Sequence, residues 1–202
     1  MRPLLDTFYN FHWVIPDEVA RSAQAYAGYL VPFLKNRGIR AMINLRGPNA
    51  RYAWWHYERR VCAELGVTHF DVTLNSRRLP TRAMLTRLLD AFDSAPRPFL
   101  IKCSGGHDRT GLAAGLYLIH RFGWDCFERA GGQLAFIPYR HFPYRSQRWL
   151  RALLTYVREE AKGKALRDFL TEDYTEHGFK TWLETHGLAD GFRGVSGDII
   201  RR

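Results

Sequence analysis

The chain has 202 residues, 46% of them hydrophobic and 25% charged, a globular composition that excludes a disordered or fibrous protein. That length fits one domain of ordinary size, whose core needs no metal or disulfide staple. Lysine and arginine number 30 against 20 acidic residues, a formal charge of +10. The opening MRPLLDTFYNFHW lacks the apolar core of a secretory signal, being broken by Asp6 and Asn10. Tyr26, Leu30, Phe33 and Leu34 recur at helical spacing, and Gly38 supplies a stop. Ala41 to Leu45 reads as a short buried strand closed by the turn Arg46-Gly47-Pro48. A polar-aromatic helix is predicted over Arg51 to Leu65, then a strand over Val67 to Leu74. Leu85, Leu88, Leu89 and Phe92 mark the next helix, with Pro80 near its first turn.

Pro98 to Cys103 reads as a third strand and Thr110 to Arg121 as a helix with Leu112, Leu116 and Ile119 on one face. The apolar run Leu112 to Ile119 falls far short of the ~20 residues that span a membrane. A further helix covers about Ser146 to Glu160, on Leu150, Leu153, Leu154 and Val157. Phe169, Tyr174, Phe179 and Trp182 then imply that an extension over 161–202 packs on the domain. Strands alternating with helices argue for a single α/β domain with a central, mostly parallel sheet flanked by helices.

Three cysteines, Cys62, Cys103 and Cys126, are too few and too scattered for a disulfide framework or a zinc site. A reducing compartment, the cytoplasm, is the expected location. Of the 30 cations, 25 are arginine. Arginine suits bidentate phosphate recognition, but a GC-rich genome yields the same bias. The positive field favours an anionic partner: a phosphorylated molecule, or an acidic membrane surface touched peripherally. Basic pairs occur at Arg59-Arg60, Arg77-Arg78 and Arg201-Arg202 without a basic block or nucleic-acid motif, so no nucleic-acid partner is expected.

The informative segment runs Lys-Cys-Ser-Gly-Gly-His-Asp-Arg-Thr-Gly, residues 102–111. It follows a strand and opens a helix, where open α/β sheets place their ligands. Ser104, Gly105, Gly106, His107 and Gly111 belong to a loop whose backbone N–H groups can converge on one oxyanion at a helix N-terminus. Arg109 adds a two-pronged guanidinium contact. The same positive surroundings stabilise a thiolate, which makes Cys103 a candidate nucleophile. Cys62 and Cys126 lack an arginine at that spacing and read as small core residues.

This segment resembles the phosphate-binding loop of the cysteine-dependent protein tyrosine/dual-specificity phosphatase superfamily. Arg21-Ser22-Ala23-Gln24, GIRAMINLRG at 38–47, and Glu128 to His141 with Ala130, Gln133, Leu134 and Tyr139 resemble other parts of bacterial dual-specificity-like members, over about residues 10–160. The resemblance implies a reaction without metal or cofactor, in which Cys103 attacks phosphorus and water hydrolyses the cysteinyl-phosphate. It also implies that Thr110 assists departure of Cys103.

Two positions depart from the family pattern. Lys102 stands where a histidine usually precedes the nucleophile, and strand alternation places it opposite Cys103. The family's general acid is an aspartate about 27 to 35 residues upstream of the cysteine, where it protonates the leaving group. That window holds Asn75 and Ser76, next to Arg77 and Arg78, and its one carboxylate, Asp71, lies within a predicted strand. The favoured alternative acid is Asp108, as the resemblance to loops of myotubularin-like and bacterial lipid phosphatases implies; the competing reading has it only orient Arg109 or accept loop N–H groups. His107 contacts substrate or lines the rim, and Arg77 and Arg78 flank the mouth or form a solvated loop. Phosphoinositide-like or other polyanionic phosphates are the expected substrates, with protein tyrosine/dual-specificity phosphatase activity the close alternative. A catalytically weak phosphate-binding module and a thiol-redox protein of the arsenate reductase type are the rivals from other classes.

Overall fold

In a computed structural model, residues 4–196 are described. The elements in chain order are α1 (Leu4–Phe8), β1 (His12–Ile15), β2 (Val19–Ser22), α2 (Leu30–Lys35), β3 (Ala41–Asn44), α3 (Ala53–Glu64), β4 (Thr68–Asp71), α4 (Arg82–Ser94) and β5 (Phe99–Lys102). Then come α5 (Asp108–Phe122), α6 (Phe127–Gly132), α7 (Trp149–Ala161), α8 (Leu166–Asp168), a π-helical turn over Phe169–Asp173, and α9 (Glu176–Thr185). The five strands form one sheet in the order β1-β2-β5-β3-β4, parallel throughout except for the β1–β2 hairpin. This is a single α/β domain with a mostly parallel central sheet, the architecture that strand–helix alternation implied.

The period-two alternation of β5 sorts its side chains between two cores. Phe99, Ile101 and the following Cys103 join the core beneath α4, α5 and α7, whereas Leu100 faces α2 and α3. Both faces are covered, which is why β3 and β5 are buried throughout. Phe169, Leu170, Tyr174, Phe179 and Leu183 of the C-terminal extension enter the larger core. Burial of each such side chain is worth roughly 1.5–3 kcal/mol. The basic pair Arg201-Arg202 lies outside the described residues. No helix among the described residues is long and apolar enough to cross a membrane.

Several boundaries differ from the sequence reading. The helix expected around Tyr26 starts as a 3-10 turn over Ala27–Tyr29. The strand predicted to Leu74 ends at Asp71, and the chain then turns while Leu74 N–H still bonds to the Leu45 carbonyl at 3.2 Å. Pro80 precedes α4 instead of opening it, because the Thr81 hydroxyl caps the helix by accepting from Met84 N–H at 3.2 Å. The helix expected from Ser146 begins at Trp149, after a 3-10 turn over Arg145–Gln147. Strand β1 and helix α1 carry too few periodic apolar residues to be seen in advance.

Candidate active site

Cys103 follows the last residue of β5, and α5 begins five residues later at Asp108, so the loop 103–107 caps the carboxyl end of the central strand. Its path is set by unusual backbone. Gly106 adopts φ +69°, and a Cβ there would meet Ala23 N at 2.5 Å and Ser22 C at 2.6 Å. Only glycine fits both the conformation and the approach to β2. At Gly111 a Cβ would meet Gln133 O at 2.7 Å, so that glycine allows α5 to pack closely on α6.

The loop carbonyls are tied back from behind. Gln24 N–H donates to Ser104 O at 3.1 Å, and Asn10 Nδ2 donates to Gly106 O at 3.0 Å. Arg21, fully buried, donates through Nη2 to Gly106 O at 2.9 Å and His107 O at 3.3 Å. Its Nη1 donates to Gln133 O at 2.7 Å, and its guanidinium lies 4.0 Å from the Tyr139 ring centroid. No carboxylate pairs with Arg21 among the described residues, and burial lowers its pKa to about 10. With the carbonyls engaged behind, the loop N–H groups are left for an anion. Gly106 N–H donates to Cys103 Sγ at 3.2 Å.

Burial pushes the Cys103 thiol up. The charge of Arg109, the Thr110 hydroxyl and the N–H groups of Gly106 and Thr110 outweigh it and hold the pKa below the ordinary thiol value. The buried Thr110 hydroxyl has no well-aligned hydrogen-bond partner among the described residues, which leaves it to the adjacent sulfur. Arg109 is oriented by the carbonyls of Leu45 and Leu74, at 3.5 and 3.4 Å, and donates through Nη2 to Ser104 Oγ at 2.9 Å. The half-buried His107 ring has a lowered pKa: burial lowers it most, Asp108 opposes the shift, and Arg140, Arg21 and His141 add to it.

The two candidate acids are placed differently. Asp71 is in register with Asn44, which is in register with Lys102, so its side chain lies on the face opposite Cys103. There it accepts from Asn44 Nδ2 at 2.7 Å and Trp55 Nε1 at 3.0 Å. Asp108, in the first turn of α5, is three-quarters buried; Oδ1 meets His141 Nδ1 at 3.0 Å and Oδ2 accepts from Gln147 Nε2 at 2.7 Å. Lys102 is buried behind the sheet, donating to Glu58 Oε2 at 2.6 Å and Gln24 Oε1 at 3.2 Å.

Beside Arg109 opens a cleft of about 510 Å³, lined by Thr73, Asn75 and Ser76 together with Arg46, Arg77, Arg78 and Arg193. A larger cavity of about 800 Å³, lined by Phe11, Trp13 and Phe33, includes no residue of the loop. No group of three or more His, Cys, Asp or Glu is placed to hold a metal ion among the described residues. Sequence reasoning gave no role to Asn10, Arg21, His141 or Gln147. Arg21, Gln133, Tyr139 and His141 stood within family-like segments, the one signal that could have singled them out.

A thiol held toward its ionised form at a strand end, under a helix N-terminus and beside an arginine six residues on, defines a cysteine-dependent phosphatase. Residues 9–155 match the family described as Swiss Army Knife protein, DSP-PTPase phosphatase domain (PTP-SAK), and the chain belongs to that family. Solved structures agree on the fold. TpbA of P. aeruginosa aligns at TM-score 0.60 with 21% identity, over 83% of this chain and 94% of its own. The core catalytic domain of the PP-IP phosphatase SIW14 of S. cerevisiae gives 0.55 and 18%, over 89% and 93%. PTPMT1 in complex with PI(5)P gives 0.55 and 15%, over 75% and 98%. No curated protein sequence matches the chain.

Proposed function

We propose that this phosphatase hydrolyses monoesters of phosphoinositide-like or other polyanionic phosphates through a cysteinyl-phosphate on Cys103. The observation that carries the substrate class is the cleft beside Arg109, lined by four further arginines and no carboxylate. In the first step the Cys103 sulfur forms a bond to phosphorus as the ester P–O bond breaks. Its electron pair goes to the leaving oxygen, which takes the proton of Asp108. In the second step water attacks phosphorus, the S–P bond breaks with its pair returning to sulfur, and Asp108 recovers a proton from the water. Arg109 and the N–H groups of Ser104, Gly105, Gly106 and His107 neutralise charge on the phosphoryl oxygens, whereas Gly111 N–H, expected to join them, donates to His107 O at 3.0 Å inside α5. The Thr110 hydroxyl stabilises the departing thiolate.

SIW14, a PP-IP phosphatase, and PTPMT1, crystallised with PI(5)P, support this class. A structure of TpbA in complex with pTyr supports the second reading, a protein tyrosine or dual-specificity phosphatase. Phosphate release from inositol phospholipids, phosphotyrosine peptide and phosphothreonine peptide separates the two readings. Cys103→Ser should abolish turnover and keep oxyanion binding, since Arg109 and the loop N–H groups remain. Arg109→Lys should be severely impaired, because a point charge cannot make the planar bidentate contact. Turnover by Cys103→Ser within about tenfold of the unaltered enzyme would overturn the covalent route.

A further inference from the structure

We infer that the C-terminal segment around Arg193 completes a second anion subsite beside the Cys103 loop, which holds another phosphate of the same ligand. This rests on the reading of Cys103 and Arg109 as the reacting centre. One phosphoryl group is already met by Arg109 and the loop N–H groups, yet the adjoining cleft adds Arg46, Arg77, Arg78 and Arg193. None of these five arginines forms an ion pair with a carboxylate among the described residues. Guanidinium groups gathered without a counter-charge repel one another, and a multiply charged anion is their natural complement.

The cleft is held in shape. Arg46 donates to Gln24 Oε1 at 2.7 Å and lies 3.6 Å from the Trp54 ring centroid. Trp149 Nε1 donates to Ser76 O at 3.1 Å and so anchors the 75–78 loop on α7. The tail then closes the remaining side: Arg193 N–H donates to Arg77 O at 2.7 Å, Leu79 N–H to Gly194 O at 3.1 Å and Ser196 N–H to Leu79 O at 2.8 Å. Arg78 Nη1 reaches Val195 O at 3.4 Å. The tail thus runs alongside the 77–79 segment and carries Arg193 to the rim. Arg193 lies outside residues 9–155, the part that matches the family. Thr73, Asn75 and Ser76 supply neutral donors among the guanidinium groups. The ligand chemistry is two or more phosphates on a compact polyol, free in solution or as a lipid headgroup.

Inhibition of p-nitrophenyl phosphate turnover tests this with the full chain. The inhibitors are inorganic phosphate, a soluble inositol trisphosphate, and a phosphoinositide with the same headgroup in mixed micelles. The unaltered enzyme should bind both inositol compounds more tightly than inorganic phosphate. Arg193→Gln should weaken both by roughly five- to tenfold more than it weakens inorganic phosphate, about the worth of one partly exposed charge-assisted hydrogen bond. Arg77→Ala, on the loop that the tail runs alongside, should show the same selectivity, so the test does not depend on one variant. Weakening of the micellar inhibitor alone would mean a general membrane contact and would overturn the subsite. Equal weakening of all three inhibitors would do the same. Turnover that survives Cys103→Ser would instead undo the reading beneath it.

Discussion

Cys103 and Cys62 carry the same thiol in opposite electrostatic settings. Cys103 is held below its ordinary pKa, whereas burial, reinforced by Glu58, pushes Cys62 up to about 12. The thiolate is the reactive form, so a depressed pKa keeps reactivity present as pH falls, and a raised one removes it until strongly alkaline pH. Iodoacetamide at neutral pH should therefore alkylate Cys103, with matching loss of activity, and leave Cys62 intact by peptide mapping. Comparable rates at both would show that Arg109 does not hold the thiolate. Asp108 permits an equally local test. If it supplies the proton, Asp108→Asn should cost roughly 10²- to 10⁴-fold on alkyl phosphates and far less on activated aryl phosphates. Asp71→Asn should show no such dependence, and uniform loss in Asp108→Asn would make that carboxylate an orienter. Cys103, Arg109 and Thr110 were legible because eight consecutive residues contain them. Their supports were not: His141 and Gln147 lie 33 and 39 positions from Asp108, and Arg21 lies 85 from Gly106.

Elements with strong periodicity were readable and weak ones were not. Leu112, Leu116 and Ile119 identified α5, and the buried run FLIK identified β5, since a strand covered on both faces needs no alternation. Asp71 shows the limit. A carboxylate inside a strand has two possible faces, and the β3–β4 register, which no local pattern encodes, selects the one against α3. The loop between β5 and α5 depends on one backbone position more than on any side chain. Gly106→Ala should lower both melting temperature and kcat/KM, because a Cβ at φ +69° is strained by about 1–3 kcal/mol and clashes with Ser22 and Ala23. Thermal unfolding and steady-state kinetics on that variant check it; unchanged values would mean that the loop tolerates a shift away from β2.

At the scale of the whole molecule, charge that looked evenly dispersed along the chain is concentrated by topology. Arg46, the Arg77-Arg78 pair, Arg109 and Arg193 come from four distant segments, and only the parallel sheet with its C-terminal strap brings them to one cleft. The sum of +10 announced an anionic partner, but not where it would sit. Arg21 shows the other side of that arrangement, a guanidinium sealed in the interior with carbonyls and a ring around it and, among the described residues, no carboxylate. An interior charge of that kind is a standing cost to the empty protein. An oxyanion seated in the adjacent loop offsets it, and any ligand that favours the folded state raises its population by mass action. Under the proposed function, phosphorylated substrate therefore does more than set the rate of hydrolysis: by occupying the loop it raises the folded fraction of the enzyme.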